Sequence, residues 1–233
     1  QIKNKMEARV HDVVKSPSPP HKKQTTYKIL VIGDPGTGKS SIIRRYVHNV
    51  FTANYKATIG VDFALKILPL DTERVVHLQM WDISGQDRYG VMTRVYYKDA
   101  HAAVIVLDAA RERTIEGALR WKADLDQKLT LADGSAVPTV LLANKCDLNN
   151  DISDSRLSDL ERDNGFIGSF RTSAKDDVGI SEAFNRLVES VVSTEEGGQY
   201  EVPIYGRQDS VRLSIDNRST REHKGSSEWN CCA

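Results

Sequence analysis

Between residues 27 and 192 the hydrophobic pattern switches repeatedly between strand and helix periods. Residues 27–32 (YKILVI) are apolar and β-branched enough for a buried strand. Residues 41–47 carry apolar positions at helical spacing, and residues 51–59 have no clean period and read as a loop. Residues 60–70 alternate through Val61, Phe63, Leu65 and Ile67; residues 74–83 alternate through Val76, Leu78 and Met80. Asp71, Thr72 and Glu73 between them read as a hairpin turn. Two strands joined by so short a turn must be antiparallel. Residues 87–99 read as irregular or briefly helical. Residues 102–108 (AAVIVLD) form a continuous apolar run, as in a central strand buried on both faces. Thr114 is placed to cap a helix with Ile115, Ala118, Leu119, Leu125 and Leu129 on one face. Asp133 and Gly134 mark a loop, and residues 138–143 a second buried strand. Ser153 or Asp154 opens a short helix carrying Leu157 and Leu160. Residues 165–171 form a weak last strand and residues 180–192 a final amphipathic helix.

This order predicts an α/β domain over residues 27–192, with a six-stranded, mostly parallel sheet, one antiparallel strand and helices on both faces. Residues 1–26, with the Ser-Pro run at 16–20, read as a disordered N-terminal extension. Residues 1–5 precede the first methionine, Met6, and are set aside. Residues 193–233 are rich in Gly, Ser, Arg and acids and read as a flexible tail. The unusual loops follow strands ending near Ile32, Ile83, Ala143 and Arg171. All lie at carboxyl ends of strands, where such a sheet binds its ligand.

Charge narrows the partners. The chain has 32 basic and 32 acidic residues, so no nucleic acid is expected. Residues 1–28 hold seven Lys or Arg against two acids, and residues 194–233 hold five against seven. The basic head reads as a solvated tail rather than a membrane-binding surface. Three cysteines, Cys146, Cys231 and Cys232, permit no disulfide framework within the domain, so a reducing compartment is expected. No apolar stretch is long enough to span a bilayer.

The chemistry begins at residues 33–40, GDPGTGKS, between the first strand and the first helix. The plain alternative, a glycine-rich turn with an exposed lysine, does not explain that placement. Gly33, Gly36 and Gly38 let the backbone turn tightly and approach an anion. The amides from Gly36 through Thr37, Gly38 and Lys39 to Ser40 can face phosphate oxygens at the positive end of a helix dipole. Lys39 reaches the outer phosphates, and the Ser40 hydroxyl is placed to ligate Mg²⁺. Asp82 at a strand end fits a second metal-associated acid, or equally a cap for the next turn. Gly85 can offer its amide to a γ-phosphate, and Gln86 can orient an attacking water, since an amide both donates and accepts. Asn144-Lys145-Cys146-Asp147 suits base selection. The Asp147 carboxylate can accept from the ring N–H and exocyclic amine of guanine, a pair that adenine lacks. The Lys145 stem can lie over the ring. In Ser173-Ala174-Lys175, a small residue offers its amide to the guanine oxygen.

Taken together, GDPGTGKS, Thr58, WDISGQ, NKCD and SAK resemble the Ras-like small GTPases over about residues 27–192. IGVDF at 59–63, HLQMWDIS, DRYG, Tyr96-Tyr97 and the double-cysteine end look like the Rab family. MTRVYYKDAHAAVIVLD and Ile83 look most like the Rab branch serving lysosome-related organelles such as melanosomes. The resemblance implies a P-loop small G domain that binds GTP and GDP with Mg²⁺ and hydrolyses GTP slowly. It implies nucleotide contacts from Ser41 and Phe51, the latter against the guanine, and a metal contact from Thr58. Residues 51–63 and 84–97 would be switches, ordered by the γ-phosphate. They would meet an exchange factor, an activating protein and effectors. Cys231-Cys232-Ala233 looks like a double-prenylation end, and two lipid chains are what stable membrane attachment needs. A monomer is expected, in the cytosol and on the cytoplasmic face of lysosome-related organelles or late endosomes.

Pro35, Ser84 and Asp87 depart from the family pattern, at positions usually held by serine or glycine, alanine and glutamate. Pro35 lacks an N–H, but the amides needed begin at Gly36. Altered rather than lost hydrolysis is expected. Two rivals stand beside the GTPase reading: a GTP-bound scaffold with little hydrolysis, and a P-loop ATPase or small kinase, against which Asp147 argues.

Overall fold

A computed structural model describes residues 22–86, 93–148, 152–197 and 204–205. In chain order the elements are β1 (Lys23–Ile32), α1 (Lys39–His48), β2 (Val61–Pro69), β3 (Arg74–Ile83), α2 (Thr93–Tyr97), β4 (Ala102–Asp108), α3 (Arg113–Lys128), β5 (Leu129–Thr130), β6 (Thr139–Asn144), α4 (Asp154–Asn164), β7 (Gly168–Thr172), α5 (Ile180–Glu196) and β8 (Ile204–Tyr205). Six strands form one sheet in the order β2-β3-β1-β4-β6-β7, parallel throughout except at β2–β3. This is the expected α/β sheet.

Strand alternation divides the core into two layers. Ile29 and Val31 of β1 join Ile42, Tyr46, Phe184 and Leu187 under α1 and α5. Leu30 and Ile32 join Trp121, Leu125, Leu157 and Leu160 under α3 and α4. Tyr46 and Phe184 stack with centroids 4.1 Å apart. β4 is buried at every position, which is why its sequence shows no alternation.

Several boundaries differ from the sequence reading. β1 begins at Lys23, inside the expected extension, because residues 23–26 pair with residues 74–77 of β3. Backbone pairing requires no apolar side chain, so hydropathy does not register it. Thr114 does not cap α3; Glu112 holds that position. The Thr114 hydroxyl instead donates to the Arg111 carbonyl (2.7 Å) and accepts from the Asp108 amide (2.9 Å), closing the β4–α3 turn. Ser153 caps α4, its Oγ accepting from the Arg156 amide. The hairpin turn forms as expected, with Asp71 accepting from the Glu73 and Arg74 amides. α5 continues to Glu196. In the tail read as flexible, β8 pairs antiparallel with β5. β2 turns its apolar face outward: Phe63, Leu65 and Ile67 are 60%, 48% and 55% exposed. Its other face meets α1, where Lys66 donates to the Tyr46 carbonyl. Alternation reveals that a strand has two faces, not which is covered, and β2 is the sheet edge.

Candidate functional site

The loops after β1, β3, β6 and β7 converge on a cavity of about 400 Å³. Gly36, Gly38, Lys39, Ser40 and Ser41 line its floor. Asn144, Lys145, Asp147, Ala174 and Lys175 line one end, and Phe51, Thr58, Gly85 and Gln86 the other wall.

Gly38 has φ +98°, and a Cβ there would lie 2.2 Å from Asn144 Nδ2, so only glycine lets the loop pass beneath β6. Lys39 opens α1 and folds back over the loop. Its ammonium donates to the carbonyls of Gly33 (2.8 Å) and Asp34 (3.1 Å). Burial lowers its pKa to about 8, against the upward pull of Asp82 and Asp34. A buried cation held only by dipoles and remote carboxylates is a ready partner for an anion. The Thr37 side chain is wholly buried and donates to the Asp34 carbonyl (3.0 Å). Thus Thr37 can offer the cavity only its backbone.

Three oxygen donors meet beside Lys39. Ser40 Oγ donates to Asp82 Oδ2 (2.5 Å) and lies 2.9 Å from Thr58 Oγ1, which is 3.3 Å from the same Oδ2. Asp82 Oδ1 is buried with no hydrogen-bond partner among the described residues. Burial pushes the Asp82 carboxyl up, partly countered by Ser40 and Lys39. An orphaned carboxylate oxygen beside two hydroxyls is a donor set that fits a hard divalent cation such as Mg²⁺. Among the described residues no three His, Cys, Asp or Glu cluster to hold a metal.

The base end is bound into the protein by its own side chains. Asn144 Nδ2 donates to the Thr37 carbonyl (2.8 Å), and Asn144 Oδ1 accepts from the Ala174 amide (3.3 Å). Asn144 therefore joins three loops rather than facing the cavity with a free amide. Ser173 Oγ donates to Asp147 Oδ1 (2.7 Å), and Lys175 Nζ lies 3.7 Å from Asp147 Oδ2. Ser173 supports the carboxylate and does not line the cavity. Lys145 Nζ donates to the Gly36 carbonyl (2.8 Å), which lays its stem along the cavity wall. Phe51 is half-buried, packed against the α1–α5 core layer, with the cavity beside it.

On the opposite wall, Gly85 presses on the phosphate loop. A Cβ there would lie 2.4 Å from Pro35 N. The Gln86 amide donates to Ser84 Oγ (3.3 Å), and Gln86 itself is exposed at the mouth. Ser84, noted in the sequence only as a departure, supplies the hydroxyl that shapes this turn. Residues 87–92 of the second expected switch, and Cys231 and Cys232, lie outside the described residues.

Sequence reasoning missed three supports. Arg45 donates to the carbonyls of Ala174 and Lys175, both at 2.9 Å, holding the last loop against α1. Trp121 Nε1 donates to Asp34 Oδ1 (3.3 Å), joining α3 to the phosphate loop. Asp108 and Arg111, after β4, reach Lys145 and Gly36. The last pair had a signal: β4 also ends at the ligand-binding edge of the sheet. Burial and hydrogen bonds pull Asp108 in opposite directions, and the bonds from Lys145 and Arg111 prevail, holding its carboxyl below the usual range.

No helix among the described residues is long and apolar enough to cross a membrane. The Ras family model matches residues 28–193. Ras-related protein Rab-32 of Homo sapiens is 46% identical over 215 residues, 91% of this chain and 92% of the relative. Ras-related protein Rab-32A of Dictyostelium discoideum is 53% identical over 173 residues, 72% and 79% of the two chains. Ras-related protein Rab-7L1 of Homo sapiens is 42% identical over 209 residues, 88% and 97%.

Proposed function

This chain belongs to the Ras family of small GTPases and, within it, to the Rabs, and we propose that it is a switch for traffic to lysosome-related organelles. It binds guanine nucleotide and hydrolyses GTP to GDP and phosphate. The observation that carries the site assignment is one cavity with two chemically distinct ends. Asp147 and Ala174 stand at one end; Lys39, Ser40 and Thr58 stand at the other.

In this reading Asp147 accepts from the two donors of guanine, Lys145 lies over the ring, and Phe51 borders it. The amides of residues 36–40 and the Lys39 ammonium hold the phosphates. Ser40 and Thr58 would hold Mg²⁺, with Asp82 behind them; the ion neutralises phosphate charge. Gly85 offers its amide to the γ-phosphate side, and Gln86 orients the attacking water. Catalysis is then mostly positioning, so intrinsic turnover is slow and an activating protein accelerates it.

Effectors and exchange factors would meet the switches at residues 51–63 and 84–97. The exposed side chains of Ile59 and Phe63 favour an apolar partner there. Lipid chains on Cys231 and Cys232 would hold the protein at a membrane. Two measurements test the reading. Competition of ATP, GTP and GDP for the purified chain should show guanine selectivity, and equal affinity for ATP would end the base assignment. The tagged chain should leave lysosome-related membranes when residues 231–233 are removed; retention there would end the lipid assignment.

A further inference from the structure

The loop after β4 returns over the phosphate loop and closes a ring of four groups. Arg111 Nε donates to Asp108 Oδ2 (2.7 Å), and Lys145 Nζ donates to the same oxygen (2.8 Å). Both cations also donate to one carbonyl, that of Gly36: Arg111 through Nη2 at 3.1 Å, Lys145 through Nζ at 2.8 Å. The other Asp108 oxygen accepts from the Ala110 amide (3.1 Å), so Oδ2 alone serves both cations. The Asp108 side chain is 3% exposed, while Arg111 and Lys145 are each 33% exposed. Neither Asp108 nor Arg111 lines the cavity. Whatever they do for a ligand is done through Gly36 and Lys145.

We propose that Arg111 is a positioning residue for the bound nucleotide: through Asp108 and the Gly36 carbonyl it locks Lys145 to the phosphate loop and slows nucleotide release. This rests on the guanine-nucleotide reading of the cavity. The Lys145 ammonium is a point charge on a flexible stem and by itself defines little geometry. The Arg111 guanidinium is a planar fork that reaches two acceptors at a fixed spacing. With Arg111 present, Gly36 belongs to a closed circuit joining the loop that cradles phosphate to the loop that reads the base. Without it, Asp108 Oδ2 and the Gly36 carbonyl each keep one donor, and both depend on a single lysine. The two ends of the cavity can then loosen separately. An exposed ion pair would contribute little to such a function, but the shared acceptor here is almost wholly buried.

The test is the release rate of tritiated GDP and tritiated IDP from the full chain with Mg²⁺ present. Inosine lacks the exocyclic amine, so the ratio of the two rates reports on Asp147 and not on the ring. Arg111→Ala should release both nucleotides about tenfold faster, the scale of one lost charge-assisted hydrogen bond, with their ratio unchanged. Arg111→Lys should recover only part of that, since a lysine cannot reach both acceptors. Asp108→Asn should also speed release. The double variant should fall well short of the product of the single effects, because the same circuit is already broken. Release from Arg111→Ala within twofold of wild type, with or without a lower melting temperature, overturns the proposal. Fully multiplicative effects overturn it as well. If the wild type retains neither nucleotide, the guanine reading falls and the ring's role falls with it. If the wild type retains GDP and Arg111→Ala is unchanged, the ring alone is wrong.

Discussion

At the end of the cavity lined by Asp147, Asn144 joins the phosphate loop to the Ala174 amide, Arg45 holds the successive carbonyls of Ala174 and Lys175, and Ser173 holds Asp147. At the switch end, among the described residues the Thr58 hydroxyl is bonded to Ser40 and Asp82 alone, and Gln86 is anchored by its backbone amide to Ser84. The first region is held in place by the protein's own side chains. The second is closed by the Ser40 and Thr58 hydroxyls beside Asp82, a donor set that fits a hard divalent cation. A preorganised base site contributes selectivity at all times. A sparsely held switch makes its order depend on what fills the cavity.

The largest expected effect breaks the rigid end. Asp147→Asn keeps the shape and removes the charge that, in the proposed reading, accepts from both guanine donors. GTP affinity should fall on the order of a thousandfold, since a site built for a hydrogen-bond pair discriminates steeply when the pair is spoiled. Xanthosine triphosphate should bind the variant better than GTP does. Equilibrium competition between the two nucleotides measures it, and unchanged guanine preference would show that selection lies elsewhere.

Next comes the hinge between the two regions. Ser40 belongs to the phosphate loop yet is bonded to Thr58 of the switch. Ser40→Asn should weaken Mg²⁺ and shift preference from GTP toward GDP by about tenfold or more, because the metal couples the γ-phosphate to Thr58. Affinities for both nucleotides across a magnesium titration give the answer. Equal losses for GTP and GDP would mean that Ser40 does not couple the two ends.

A smaller effect concerns the switch alone. Gln86 makes no contribution to the base end, so Gln86→Leu should keep GTP affinity while single-turnover phosphate release slows by about tenfold. Pro35 lines the cavity near Gln86 and presses on Gly85. Pro35→Ser should therefore change turnover stimulated by an activating protein more than intrinsic turnover. Identical negligible release from wild type and Gln86→Leu, with and without the activator, would favour the scaffold reading.

How far the sequence could be read follows the same division. Phosphate-loop glycines, Lys39, Ser40 and Asp147 were legible because their chemistry demands particular residue types at fixed spacing. The mostly parallel sheet and its buried strands were legible because burial on both faces leaves unbroken apolar runs. Arg111, Arg45 and Trp121 were not. They act on carbonyls or on other side chains, and no spacing rule announces a residue that holds a residue. Asn144 lines the cavity as expected, and its second task, tying loops together through its side chain, had no signal in the motif. The outward face of β2 and the polar start of β1 depend on which backbone lies alongside, a tertiary fact with no local signature.

The smallest effect sharpens the contrast from outside the cavity. Lys28 on β1 lies 3.6 Å from the centroid of the Trp81 ring and donates to the Lys98 carbonyl (2.7 Å), just past α2. It ties the sheet to the segment that follows α2. Burial lowers its pKa to about 8, with Asp99 pulling the other way. Below pH 8 the ammonium is charged in both folded and unfolded chains, and its desolvation cost is fully present. Between pH 8 and the unfolded value near 10.5, the folded chain binds fewer protons than the unfolded one. Stability must then rise with pH through that window. Burial depresses Lys39 to the same value, against the pull of Asp82 and Asp34. Loading the protein with GDP pairs Lys39 with phosphate and removes its contribution. Urea unfolding of GDP-loaded protein from pH 7.5 to pH 9.5 should show a gain of about 1 kcal/mol in wild type. Lys28→Met should lack this gain, and the difference between the two proteins isolates Lys28, because the Cys146 thiol, pushed up by burial, contributes equally to both. The variant's stability at pH 7.5 should stay near wild type, because the lost bond to Lys98 offsets the relieved desolvation. Parallel slopes for the two proteins would show that Lys28 is not the group whose deprotonation stabilises the fold.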